Sequence, residues 1–164
     1  MKFICNKDTI LSVVQTTSKA AAGKSSIQAL EGILMELEGN TLTVTGYDLD
    51  IGIKTSIEVE GIESGNIVIS AKMAVDIIRK MPSGSITFEC SGNNLAEITN
   101  NMTSFSVSCS SADDYPNVPQ VNPDTSFTMP QKLLKSMIIQ TKFAVAVVDS
   151  KPALMGCKFE LENN

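Results

Sequence analysis

Residues 66–78 read NIVISAKMAVDII. The first residues form a short apolar strand, and Ser70 breaks it. From there the apolar period changes. Ala74, Ile77, Ile78 and Met81 fall at i, i+3, i+4 and i+7, the spacing of one buried helix face. The same plan of strand, polar residue and helix opens the chain in KFICNKDTILSVV (2–14). It returns in SFTMPQKLLKSMI (126–138), where Pro130 suits a first helical turn. The spacing predicts helices over 8–20, with Ile10, Val13, Val14 and Thr17 inward, over 71–81, and over 131–143, with Leu134, Met137, Ile138 and Thr141 inward.

Strands are predicted at 41–46, 52–61, 66–70, 85–91, 94–99 and 103–109, where apolar residues alternate or run for short spans. Gly39-Asn40, Gly61 to Gly65, Pro82-Ser83-Gly84 and the residues from Gly92 to Asn94 supply turns. A unit of strand, helix and antiparallel strands is therefore used twice within 1–110 and restarts near 126. That predicts an α+β fold with pseudo-symmetric repeats and helices on one face of the sheets. SADDYPNVPQVNPD (111–124), with Pro116, Pro119 and Pro123, reads as a linker. The expected organisation is a complete domain at 1–118, then linker and the truncated start of a second domain at 119–164. A single strand is expected after the third helix, so the chain reads as a fragment of a longer protein.

Composition excludes several classes of function. At 43% hydrophobic and 19% charged residues the chain has the balance of a soluble globular protein. No apolar run approaches the roughly 20 residues of a membrane span. MKFICNKD has no signal-peptide core, so a cytoplasmic location is expected. Cys5, Cys90, Cys109 and Cys157 form no CxxC pair and read as reduced thiols. The sequence has no histidine, which removes Ser-His-Asp and Cys-His catalysis and most zinc sites. No cofactor and no catalytic residue are expected. GKSS (23–26) lacks the earlier glycine of a P-loop and follows a helix rather than a strand. Asp48 and Asp50 are not followed by the glycine and glutamate of an EF-hand, and read as turn residues.

Charge is unevenly placed. The three predicted helices hold Lys19, Lys72, Arg79, Lys80, Lys132, Lys135 and Lys142, seven of the 13 bases, but only Asp8 and Asp76 of the 18 acids. Lys24 extends the bias beyond the first helix. A lone charged face is usually just solvated. Bases on helices with acids on strands and loops instead suit a polyanion held on one side and repelled from the others. Six Phe, two Tyr and no Trp argue against base stacking and for sequence-independent backbone contact.

LEGILMELEGNTLTVTGYDLDIGI (30–53), ISAKMAVDIIRKMPSGSITFE (69–89) and FSVSCSSADDYPNVP (105–119) resemble the bacterial replication sliding clamps, the beta subunits of DNA polymerase III. The most specific parts are Thr45-Gly46-Tyr47-Asp48-Leu49 and Asp114-Tyr115-Pro116-Asn117. The resemblance implies three similar domains per chain and two chains joined head to tail in a ring. Helices would face duplex DNA, and the ring would tether the polymerase as a non-enzymatic processivity factor. It implies DNA-contacting roles for Lys24, Lys72 and Arg79. Where some members place contacts, this chain has Val148, Pro152 and Ala153, leaving Lys151 as the base of that loop. The resemblance puts the ring interface at the edge strand of Phe105 and Val107. Polymerase and clamp loader would bind a pocket between the second and third domains. A protein-interaction module using strand edges, with solvated helix bases, is the reading of a different class.

Overall fold

A computed structural model describes residues 1–92, 94–119, 126–148 and 150–161. The chain divides into two compact units, residues 1–119 and 120–164.

The first unit holds nine strands: β1 (Lys2–Asn6), β2 (Gly32–Glu38), β3 (Thr41–Tyr47), β4 (Gly52–Glu58), β5 (Glu60–Glu63), β6 (Gly65–Ser70), β7 (Ser85–Cys90), β8 (Leu95–Thr99) and β9 (Ser104–Ser110). It also holds helices α1 (Lys7–Thr17) and α2 (Ala71–Lys80). Every strand pair is antiparallel, in the order β4-β3-β2-β6-β9-β8-β7-β1-β5. That order contains the repeat twice, as β4-β3-β2-β6 and β9-β8-β7-β1. The leading strand of each repeat lies in the other repeat's sheet: β1 beside β7, and β6 beside β2.

Local chemistry starts each helix where the period changes. The Asn6 side-chain oxygen accepts from the backbone N–H of Asp8 at 2.9 Å and of Thr9 at 3.4 Å. The Ser70 hydroxyl accepts from Met73 N–H at 3.4 Å. These caps satisfy donors that a helix leaves open. Ile10, Val13, Val14 and Thr17 of α1 are buried, as are Ala74, Ile77 and Ile78 of α2 with Met81 beyond it. The two helices pack on each other; α1 lies on β1, β3 and β4, and α2 on β2 and β6. Their apolar stripes share one core with Phe3, Ile33, Met35, Leu42, Phe88 and Ile98. Phe3 of β1 and Phe88 of β7 stack with ring centroids 5.1 Å apart, joining the repeats.

Several sequence expectations are corrected. The strand expected over 52–61 is two strands. Buried Val59 breaks it, its N–H donating to Asn40 O at 2.8 Å, and β5 then leaves β3 to pair with β1. Gly61 is thus inside a strand, not a turn. β2 lies outside the predicted strands, although Ile33, Met35 and Leu37 alternate in burial with Leu34, Glu36 and Glu38, and it sits between β3 and β6. The first helix is α-helical only to Thr17, and Ser18–Ala20 tighten into a 3-10 turn. The front of the expected linker is anchored: Tyr115 is buried and donates its hydroxyl to Thr45 O at 3.3 Å. The linker's remainder, 120–124, lies outside the described residues.

The second unit holds α3 (Gln131–Thr141), with Pro130 as its N-cap residue, and 3-10 turns at Lys142–Ala144 and Pro152–Met155. Residues 126–130 and 157–161 are not strands. The expected inward face of α3 is not buried: Leu134 is partly exposed, Met137 is 48% exposed and Ile138 38%. Among the described residues of this unit there is no sheet for that face to pack on.

Candidate nucleic-acid interface

The helix layer of the first unit leaves a basic surface. On α2 the residues between the buried ones, Lys72, Met73, Arg79 and Lys80, are exposed, and Asp76 is partly so. Lys72 and Arg79 are seven residues apart, roughly 10 Å along the axis. Arg79 Nη1 lies 3.7 Å from Asp76 Oδ1, with both side chains about half exposed. Such a pair contributes a few tenths of a kcal/mol and leaves the guanidinium available to an anion (about 0.3–0.5 kcal/mol for a helix pair). Lys19 is exposed on the 3-10 turn Ser18–Ala20, which touches α2, and Lys24 is exposed in the segment that follows. Among the described residues, no acid stands within ion-pair distance of Lys19, Lys24, Lys72 or Lys80. The outward face of α1 carries Thr9, Ser12 and Thr16 with the exposed Asp8 in its first turn, and no exposed base.

The helix dipole distinguishes the bases of α2 by position. Arg79 and Lys80 lie in the last turn of α2, where a cation is favoured. Lys72 lies in the first turn, where it is disfavoured, and no acid there compensates it. Helix stability accounts for the first two but not for Lys72.

The acids take the other side. On β2, Ile33, Met35 and Leu37 enter the core and Glu36 and Glu38 alternate with them; on β7 and β8, Glu89 and Glu97 alternate with Phe88 and Ile98. Glu89 and Glu97 face each other across the ladder. Lys2 Nζ, 2.7 Å from Glu89 Oε2, offsets that repulsion.

The remaining predicted bases belong to the second unit. Lys132 and Lys135 are exposed on α3, Lys142 on the turn after it, and Lys151 just before Pro152–Met155. Val148 is 87% exposed. Sequence reading missed Lys7, the first residue of α1. Its side chain is 12% exposed and pairs with Asp8 at 3.4 Å, so it adds nothing to the surface. Asp48 is a turn residue: Oδ1 accepts from Asp50 N–H at 3.0 Å and Ile51 N–H at 2.7 Å.

The edge strand is only partly as expected. β9 pairs with β8 along Ser104–Ser108 and with β6 only at Cys109 and Ser110. Among the described residues no other strand lies beside Ser104–Ser108. Its apolar face, however, turns inward. Val107 is 6% exposed and Phe105 packs on the core, so Ser104, Ser106 and Ser108 are what the strand shows outward.

Two side-by-side helices, of which α2 presents exposed bases, on antiparallel sheets whose outward faces carry acids, define a clamp-type α+β unit. Residues 1–119 match the family model of the DNA polymerase III beta subunit, N-terminal domain, and the chain belongs to that family. It is 33% identical to the beta sliding clamp of Halalkalibacterium halodurans over 99% of this chain and 45% of that protein. It is 31% identical to that of Bacillus subtilis over the whole chain and 46% of that protein. Among solved structures, a DNA polymerase III beta subunit of Eubacterium rectale aligns with TM-score 0.86 at 31% identity, covering 94% of this chain and 42% of the other. The Bacillus subtilis clamp aligns with TM-score 0.82 at 31% identity, covering 93% and 42%. The chain thus spans under half the length of these relatives. Among the described residues, no helix is long and apolar enough to cross a membrane.

Proposed function

We propose that this chain is the DNA-facing opening portion of a replication sliding clamp, an accessory subunit that holds a polymerase on duplex DNA without catalysing a reaction. The observation that carries this is Lys72, exposed, unpaired among the described residues and set against its own helix dipole. Lys19, Lys24, Arg79 and Lys80 share its surface. Contacts of this kind meet phosphates and read no bases, which is what sliding requires. Lys132, Lys135, Lys142 and Lys151 are the second unit's own candidate DNA contacts, that unit being read here as the start of a second clamp domain after a first one ending near residue 118. The side of β9 away from β8, along Ser104–Ser108, with Phe105 wedged beneath it, serves as one half of a head-to-tail homodimer interface by strand addition. Polymerase and clamp loader are the partners this reading implies in the cytoplasm.

The test is an anisotropy titration of fluorescent duplex DNA with the chain across a salt series. Binding should be weak, equal for unrelated sequences and steeply salt-dependent. Lys24→Ala with Lys72→Ala should lower the salt slope by roughly one unit per lost phosphate contact. A slope unchanged in the double variant would remove both residues from the interface.

A further inference from the structure

Neither the basic surface nor the strand edge uses two thiols of the first unit. Cys90 ends β7, and Cys109 lies near the end of β9. Their Sγ atoms are 3.3 Å apart, both side chains are partly exposed, and both are free cysteines. They border a cleft of about 350 Å³, lined also by Met1, Gly65, Asn94 and Ser110. We propose that Cys90 and Cys109 form a dithiol that a small-molecule disulfide converts to an intramolecular disulfide, fastening the end of β9 to the end of β7.

The backbone around the pair is held on one side and loose on the other. Cys90 N–H donates to Met1 O at 2.9 Å, and Cys109 N–H to Asn94 O at 2.9 Å. β9 joins β6 through only two residue pairs, Val68 with Ser110 and Ile69 with Cys109. A short seam of this kind gives way most easily to the approach that an S–S bond of about 2.05 Å demands. The chemistry needs two exchanges. One protein sulfur displaces a thiolate from the oxidant and becomes a mixed disulfide. The second protein sulfur attacks the first, the Cys90–Cys109 bond forms, and the second thiolate leaves. Two protein thiols are oxidised, one small disulfide is reduced to two thiols, and these take up the two protons. Burial and the neighbouring Cys90 push the Cys109 thiol up to about 12, so its sulfur is protonated at neutral pH and exchange through it is slow. The other cysteines lack this arrangement. Cys5 is buried in β1 with its thiol pushed up to about 12, and Cys157 has a hydroxyl, Thr141 Oγ1, at 3.6 Å rather than a sulfur.

The test is equilibration of the full chain with glutathione and glutathione disulfide at increasing oxidised fraction, followed by acid quench, thiol counting and peptide mapping. Two of the four thiols should disappear together with no glutathione retained on either, and one mapped peptide should link Cys90 to Cys109. Cys90→Ser should leave Cys109 as a glutathione mixed disulfide, and Cys109→Ser should do the same to Cys90. Wild-type protein carrying glutathione on Cys90 or Cys109 without the link would overturn the proposal. So would both thiols staying free at a ratio that fully modifies Cys157, a readout that needs no variant to fold.

Discussion

Lys72 can be tested by the sign of two effects. Because it opposes the α2 dipole, Lys72→Glu should leave the fold intact or stabilise it by about 0.3–1 kcal/mol, while DNA affinity falls and the salt slope drops. A cation kept for stability would show the reverse in thermal melts of the same variant. Lys2 makes a second residue-scale case. Its hydrogen bond and charge, with a smaller contribution from the Ser91 hydroxyl, hold the Glu89 carboxyl below the usual range. A depressed carboxylate stabilises the fold above its unfolded value, about 4.3, and that contribution is lost as pH falls through the folded value. In Lys2→Met, carbon-detected NMR titration should show Glu89 moving back up, because Glu97 opposite then repels it unopposed. An unmoved titration midpoint would mean that the 2.7 Å contact does not persist in solution.

At the scale of elements, close approach decides which residues are replaceable. A methyl group on Gly46 of β3 would run into Thr17 O, at the end of α1. Gly46→Ala should therefore push helix and strand apart at a cost of about 1–3 kcal/mol, read as a lower denaturant midpoint. Helix-forming segments were legible in the sequence because a one-sided helix writes its burial into its period: Ile10, Val13, Val14 and Thr17 are inward as spaced. Strand β2 and the corner at Val59 were not legible. In β2 the alternation of Ile33, Met35 and Leu37 is blurred by the apolar Leu34, and a corner is set by which neighbour the chain leaves rather than by its own residues. The inward turn of Val107 was hidden for a related reason, since alternation marks two faces without saying which is the core. Of the candidate bases, the outward position of Lys72 was legible from spacing, while its DNA-contacting role rested on the family resemblance. The poor availability of Lys7 required its contact with Asp8 to be seen.

At the scale of the whole molecule, the two units differ in what holds them. The first closes one core over both helices, whereas α3 has no buried residue among those described. Hydrogen exchange of the 164-residue chain should show amides of 131–141 exchanging near the rate of open peptide while β2, β3 and β8 stay protected. Equal protection in both regions would mean that something covers α3 in solution. The exchange of leading strands between the repeats also sets a timetable during synthesis. β1 is translated before both of its neighbours, β5, complete at residue 63, and β7, complete only at residue 90. At roughly 5–20 residues per second β1 waits several seconds for its longer ladder, the one with β7. Residues 1–63 released alone should therefore stay unfolded, and should fold only when 64–119 is supplied in trans. The amino-terminal half of this unit is in effect a client of the half translated after it, and slower translation between the repeats lengthens its exposure to chaperones and proteases.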